Sequence, residues 1–201
     1  MENGKFTNYH YVLWYSDERT ILIKHESYKN YLPDIGKPRW IYLSSLGDYA
    51  DNLYSDLVTY LENNPGTKLA FQPGTYQIKM GTKALDKIYK RAEFFCVNVE
   101  EAQTILSSTS RDLPTLLKGL QDLGPKIICI TDGKEGSYMR NGDNNYFLPI
   151  YPDDKPPYER TGAGDAFTST FVAALAEGLT PEEAIMWGPI NSMSVVQYIG
   201  A

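Results

Sequence analysis

Cysteine is scarce in this chain, and long apolar stretches are absent. Its only two cysteines among 201 residues, Cys96 and Cys129, sit inside the apolar runs Phe94-Phe95-Cys96-Val97 and Ile127-Ile128-Cys129-Ile130. A small hydrophobe fits there, so both are read as core packing. No apolar run approaches the length that crosses a bilayer, and the N-terminus lacks the basic-then-apolar pattern of a signal peptide. Residence in the cytoplasm, without membrane contact, is the expectation. Positive charge is also in short supply: 19 Lys and Arg stand against 25 Asp and Glu, giving a net charge of −6. A nucleic-acid partner is disfavoured, because phosphate neutralisation needs clustered Lys and Arg that are not evident. There is no internal repeat and no low-complexity segment. The pattern Gly-x-x-x-x-Gly-Lys-Ser/Thr is missing too, and Gly162-x-Gly164 lacks a third glycine, Phe167 standing in its place. Walker-type and Rossmann dinucleotide binding are therefore disfavoured.

What is present suits one compact α/β domain, or one domain with an appendage. Hydrophobic residues make up 42% of the chain and aromatic residues 13%, enough for a sizeable core. Tyr9 to Tyr15 and Thr20 to Lys24 are β-rich runs joined by Ser16-Asp17-Glu18-Arg19, which reads as a β-hairpin. A hairpin alone is marginal in water and has to pack on something. From Trp40 onward, short apolar strands alternate with helical patterns. The strands are Trp40 to Leu43, Lys68 to Phe71, Phe94 to Val97 and Ile127 to Ile130. Helices are expected around Leu53 to Leu61, Leu85 to Ala92, Glu100 to Leu106 and Leu113 to Leu123. All-apolar strands in such an order favour a mostly parallel sheet with helices on both faces. Ser137 to Met139 and Asn145 to Phe147, turned by Asn141-Gly142-Asp143, read as a short antiparallel pair. Two helices, about Gly164 to Glu177 and Pro181 to Tyr198, finish the chain.

The segment Glu159-Arg160-Thr161-Gly162-Ala163-Gly164-Asp165-Ala166-Phe167 is a glycine-rich entry into an apolar helix. Glycines let backbone amides approach an anion, and unpaired amides at a helix start make an anion site. A carboxylate beside such a site would repel phosphate, so Asp165 reads as a base that takes a proton from an attacking hydroxyl. Taken alone, the segment equally fits a helix whose first turn carries a stabilising acid.

The ordered motifs together resemble the ribokinase-like (PfkB) family of carbohydrate and nucleoside kinases, over about residues 8 to 201. The resemblance implies a ribokinase-like α/β fold, with residues 1–36 as a partial β lid and linker and 37–201 as the nucleotide-binding catalytic domain. It implies that Gly162, Ala163 and Gly164 form an anion hole and that Asp165 is the base. Asn98-Val99-Glu100-Glu101 resembles the family's Asn-x-x-Glu motif, placing Asn98 near ATP phosphates and Glu101 in the network of water around Mg2+. By itself that stretch is a capped helix start. Thr131-Asp132-Gly133-Lys134-Glu135-Gly136 resembles the Thr-x-Gly-x-x-Gly turn at the nucleotide, which brings in Thr131, Gly133 and Gly136. Asn191 is similar to a family residue near the adenine pocket. Glu159 stands where many members carry an Asp that helps bind K+, which implies a monovalent-cation site with altered geometry. Gln72-Pro73-Gly74 occupies the place of an Asp/Asn-Pro pair, and no role is carried onto Gln72.

The expected activity is transfer of the γ-phosphoryl group of ATP, with Mg2+, to a hydroxyl of a sugar or nucleoside. In many relatives the lid sheets of two subunits pack together, so the resemblance implies a homodimer through the hairpin, with a monomer as the alternative. The family's N-terminal glycine pair and acceptor-gripping residues have no counterpart before Tyr9. The expectation is therefore a fragment or a naturally reduced chain, and a nucleotide-binding protein without turnover is the competing reading. A third is an unrelated flavodoxin-like interaction domain.

Overall fold

The computed structural model describes residues 6–15, 18–152 and 155–198. The chain opens with an antiparallel pair, β1 (Tyr9–Tyr15) and β2 (Glu18–Lys24), with Tyr9 opposite Lys24. Glu18 and Arg19 thus belong to a strand rather than to the expected turn, whose Ser16 and Asp17 lie outside the described residues. Among the described side chains of this ribbon, Tyr11, Leu13 and Leu22 stay exposed. It is tied down by its flank: the Nε2 atoms of His10 and His25 are 2.9 Å apart, and the His25 ring lies against Tyr76.

The main sheet has the order β3 (Trp40–Leu43), β4 (Lys68–Phe71), β5 (Ala92–Asn98), β6 (Ile127–Thr131), β7 (Ser137–Asn141), β8 (Asn144–Leu148). The first four strands are parallel and the last two antiparallel. Successive side chains of a strand enter opposite cores: Phe95 and Val97 point to one, Phe94 and Cys96 to the other. Burial on both faces is why these strands read as continuous apolar runs. The crossovers carry α1 (Asp51–Asn63), α2 (Thr75–Met80), α3 (Asp86–Arg91), α4 (Val99–Leu106) and α5 (Leu113–Asp122). Leu57, Leu61, Ile88, Ala102, Leu116 and Leu120 from these helices fill the first core. Strands added in sequence order with all crossover helices on one side are what right-handed βαβ units produce. The second core belongs to α6 (Ala163–Ala176) and α7 (Pro181–Val195), with Phe171 stacked on Phe94 at 4.3 Å between centroids.

Several boundaries differ from the sequence pattern. Helix α2 has no expected counterpart, since six residues are too few to show a helical period. It is held by the buried Gln77, whose Oε1 accepts from Gly74 N at 2.6 Å and whose Nε2 donates to Ser44 O at 2.9 Å. Helix α7 ends at Val195 rather than Tyr198, and residues 196–198 turn away. Cys96 and Cys129 face each other across β5 and β6, both buried, and burial pushes the Cys129 thiol far up. They are core residues, as expected. No helix among the described residues is long and apolar enough to cross a membrane.

Parallel pairing brings the carboxyl ends of β3 to β6 to a common edge, where Leu43 lies opposite Phe71 and Asn98 opposite Thr131. Loops at that edge of an open α/β sheet are where ligands bind. The first turn of α6 sits there too.

Candidate active site

At the start of α4, Asn98 and Glu101 form a reciprocal cap. Glu101 N donates to Asn98 Oδ1 at 2.8 Å, and Asn98 N donates to Glu101 Oε2 at 2.9 Å. Both side chains are thereby fixed at the sheet edge. Burial pushes the Glu101 carboxyl up from its ordinary range; the Asn98 amide opposes this, while the charges of Asp165 and Glu100 add to it.

After β6 the chain makes a tight turn in which Asp132 N donates to Gly136 O at 2.8 Å and Glu135 N to Asp132 O at 2.9 Å. Gly136 has φ +99°, and a Cβ there would lie 2.4 Å from Leu148 O, so only glycine fits. Arg111 braces this corner from outside, with Nη2 2.8 Å from Asp132 Oδ1 and Nη1 3.5 Å from Glu100 Oε1.

Helix α6 begins with Gly162 at φ +82° as its N-cap. Ala163 N donates to Arg160 O at 3.3 Å, closing the turn, and Ser192 Oγ of α7 donates to Ala163 O. Amides of a first helical turn have no partner within the helix and, with the helix dipole, favour an anion. Gly164 is instructive: a Cβ there would meet nothing within 4 Å. The protein's own packing does not require glycine at that position.

Asp165 is exposed, and Gln72 Nε2 at the end of β4 donates to its Oδ1 at 3.0 Å. Gln72 Oε1 in turn accepts the Tyr42 hydroxyl of β3. This order fixes the amide orientation, since the reverse would set a carbonyl against a carboxylate. Burial, and secondarily the charge of Asp165, holds the Tyr42 phenol well above the usual range. Sequence reasoning assigned no role to Gln72 or Tyr42.

A cavity of about 370 Å³ runs along this edge. Asn98, Thr131, Gly133, Gly136, Ala163 and Gly164 line it, so the structure brings these sequence-predicted residues together. Ile150, Tyr151, Pro157, Met193 and Val196 supply an apolar stretch of wall. Asn191 is not among the residues lining it. Its Nδ2 donates instead to Thr170 Oγ1 at 2.8 Å in the contact between α6 and α7, and the α7 wall comes from Pro189, Ser192 and Met193. Glu159 is half-buried before α6, where its backbone N donates to Val196 O at 3.4 Å. No group of three or more His, Cys, Asp or Glu side chains among the described residues could hold a metal ion.

The cavity size, its apolar wall, the open Gly164 and the buried, unpartnered Ser137 Oγ and Arg160 Nε suit a nucleotide. The Glu101 carboxylate suits Mg2+ reached through water, in the way such sites use one or two carboxylates together with phosphate oxygens.

The fold and site define an α/β protein with a glycine-lined cavity and an exposed carboxylate at the carboxyl edge of its sheet. A family model described as pfkB family carbohydrate kinase matches residues 2–201, and the chain belongs to that family. It is similar to an uncharacterized sugar kinase of Archaeoglobus fulgidus, 26% identical over 66% of this chain and 51% of that protein. It is also similar to the cytidine kinase of Thermococcus kodakarensis, 30% identical over 58% of this chain and 41% of that protein. The structure of Arabidopsis thaliana ribokinase complexed with ribose and ATP superimposes with a TM-score of 0.80 at 19% identity, over 99% of this chain and 66% of that one. That likeness establishes the ribokinase-like fold. The stretch matched spans about half the length, or less, of these curated relatives.

Proposed function

We propose that the protein is an ATP-dependent kinase that phosphorylates a hydroxyl of a sugar or nucleoside, with Asp165 as the general base. The observation that carries this reading is an exposed carboxylate, held on one oxygen by Gln72, in the first turn of the helix whose glycine-rich start lines the cavity. The names of the matched relatives, a sugar kinase, a cytidine kinase and a ribokinase solved with ribose and ATP, support both acceptor classes. Residues 37–201 then serve as the nucleotide-binding catalytic domain, with residues 1–36 as lid and linker, in a cytoplasmic enzyme.

Asp165 Oδ2, which no side chain among the described residues engages, takes the proton of the acceptor hydroxyl. The freed oxygen pair attacks the γ-phosphorus in line, the new O–P bond forms, and the bond to the bridging oxygen breaks, leaving its electrons on ADP. The Gly162 to Gly164 amides face the negative charge that builds on the transferred oxygens. Asn98 and Glu101 hold the phosphate side of the site. Mg2+, when bound, supplies positive charge to the phosphate oxygens, reached through water from Glu101. A monovalent cation belongs behind the glycine turn, beside Glu159. The exposed Tyr11, Leu13 and Leu22 support pairing of two lids in a homodimer, which sedimentation over a range of concentrations tests.

The deciding experiment offers Mg2+ and ATP with a panel of sugars and nucleosides. Transfer to at least one acceptor, reduced about 10²- to 10⁴-fold in Asp165→Asn, is expected. ATP binding with no transfer to any acceptor would instead favour a nucleotide-binding protein without turnover.

A further inference from the structure

Two arginines among the described residues have carboxylate partners: Arg111 pairs with Asp132 and Glu100, and Arg140 with Asp143. Arg160 has none. Its Nε is buried and unpartnered, although the residue lines the cavity. A guanidinium taken partly out of water without an anion is unfavourable, so the site is built for a negative partner that the chain does not supply. A second observation points the same way. Ser137, only 3% exposed and also on the cavity wall, carries an Oγ with no partner, and the neighbouring Thr161 Oγ1 is orphaned as well.

The place of Arg160 narrows down the anion. Its carbonyl accepts from Ala163 N at 3.3 Å, so its backbone is part of the glycine turn. Its side chain reaches toward the turn after β6, where Nη1 lies 3.6 Å from the point a Cβ on Gly133 would occupy. Asp165, by contrast, interacts with Gln72, Tyr42 and Glu101. The reacting phosphoryl group belongs beside Asp165, which leaves the rest of the phosphate chain for Arg160.

We propose that Arg160 binds the non-transferred phosphates of the nucleotide, with Ser137 as a neutral hydrogen-bonding partner in the same cavity. The inference rests on the nucleotide reading of the site. Arg160 is then a binding residue whose contact is the same before and during transfer, so its loss raises KM and leaves kcat nearly unchanged.

The test is calorimetry with adenosine, ADP and ATP on wild type, Arg160→Gln and Arg160→Lys, together with steady-state kinetics. A lost charge-assisted hydrogen bond corresponds to about a 10- to 100-fold effect. Arg160→Gln should weaken ADP and ATP by that factor, leave adenosine within about twofold, and raise KM for ATP; Arg160→Lys should recover part of the loss. Unchanged ADP affinity in Arg160→Gln, or a parallel loss of adenosine, overturns the proposal while leaving the kinase reading intact. Failure of the wild type to bind any of the three ligands overturns the nucleotide reading itself. Should Arg160→Gln not fold, the wild type still decides, because adenosine bound as tightly as ADP rules out a phosphate-binding arginine.

Discussion

Gln72 Nε2 and Asp165 Oδ1 are 3.0 Å apart, joined across 93 positions of sequence. The contact fixes one carboxylate oxygen of the proposed base. Tyr42, donating to Gln72 Oε1, keeps the amide from rotating, and its own phenol is held neutral by burial. A base on a freely rotating side chain would meet an acceptor hydroxyl in the right geometry less often.

Gln72→Ala should therefore lower kcat by about 10- to 100-fold, the worth of one charge-assisted hydrogen bond, with KM for ATP unchanged. Steady-state kinetics against ATP and acceptor separately will show the split. A variant that loses ATP affinity with kcat intact would contradict a positioning role.

Alkaline pH offers a test that needs no substrate. Burial pushes the phenols of Tyr54 and Tyr89 up to about 12 each, against an ordinary value of 10.0. In the unfolded chain they ionise near the ordinary value. The stability linked to keeping them neutral is fully present below 10.0 and is lost as pH rises through about 12. Melting temperature should hold steady at lower pH and fall across that window. Tyr89→Phe should soften the fall, and an identical profile for the variant would exclude Tyr89 as its cause.

What could be read from the sequence was local. The glycine turn before α6, the Asn98 and Glu101 cap and the turn after β6 are each set within a few consecutive residues, so each was visible as a local signal, and the family resemblance supplied its role. The strands announced themselves because both faces are buried, as with Phe94 and Phe95 of β5. Gln72 and Tyr42 were silent because they reach the site only through the pairing of β3 with β4 and the docking of α6 on the sheet. Arg160 lay inside the recognised motif, but which way its side chain turns depends on Gly133, from another loop. Where Asn191 points was likewise not readable: its neighbours on α7 line the cavity, while its amide donates to Thr170 on the face toward α6.

Two glycines of the last two helices separate packing from ligand approach. At Gly188 in α7, a Cβ would lie 2.6 Å from Cδ2 and Cε2 of the Phe167 ring. Replacing a helical glycine with alanine gains about 1 kcal/mol of propensity, but forcing a methyl into a packed ring costs about 1–3 kcal/mol, so the clash should win. Gly188→Ala is expected to lower the melting temperature by a few degrees, about 2–4 °C per kcal/mol for a chain of this size, and to disturb the cavity that Phe167 lines. At Gly164 a Cβ meets nothing within 4 Å, so Gly164→Ala should melt no lower than wild type. The same methyl would project where a phosphate has to approach the first-turn amides, and ATP affinity should drop by at least about tenfold. Melting curves and nucleotide titrations on both variants check this. If Gly164→Ala binds ATP as wild type does, the glycine turn is only a helix cap and the anion-hole assignment falls.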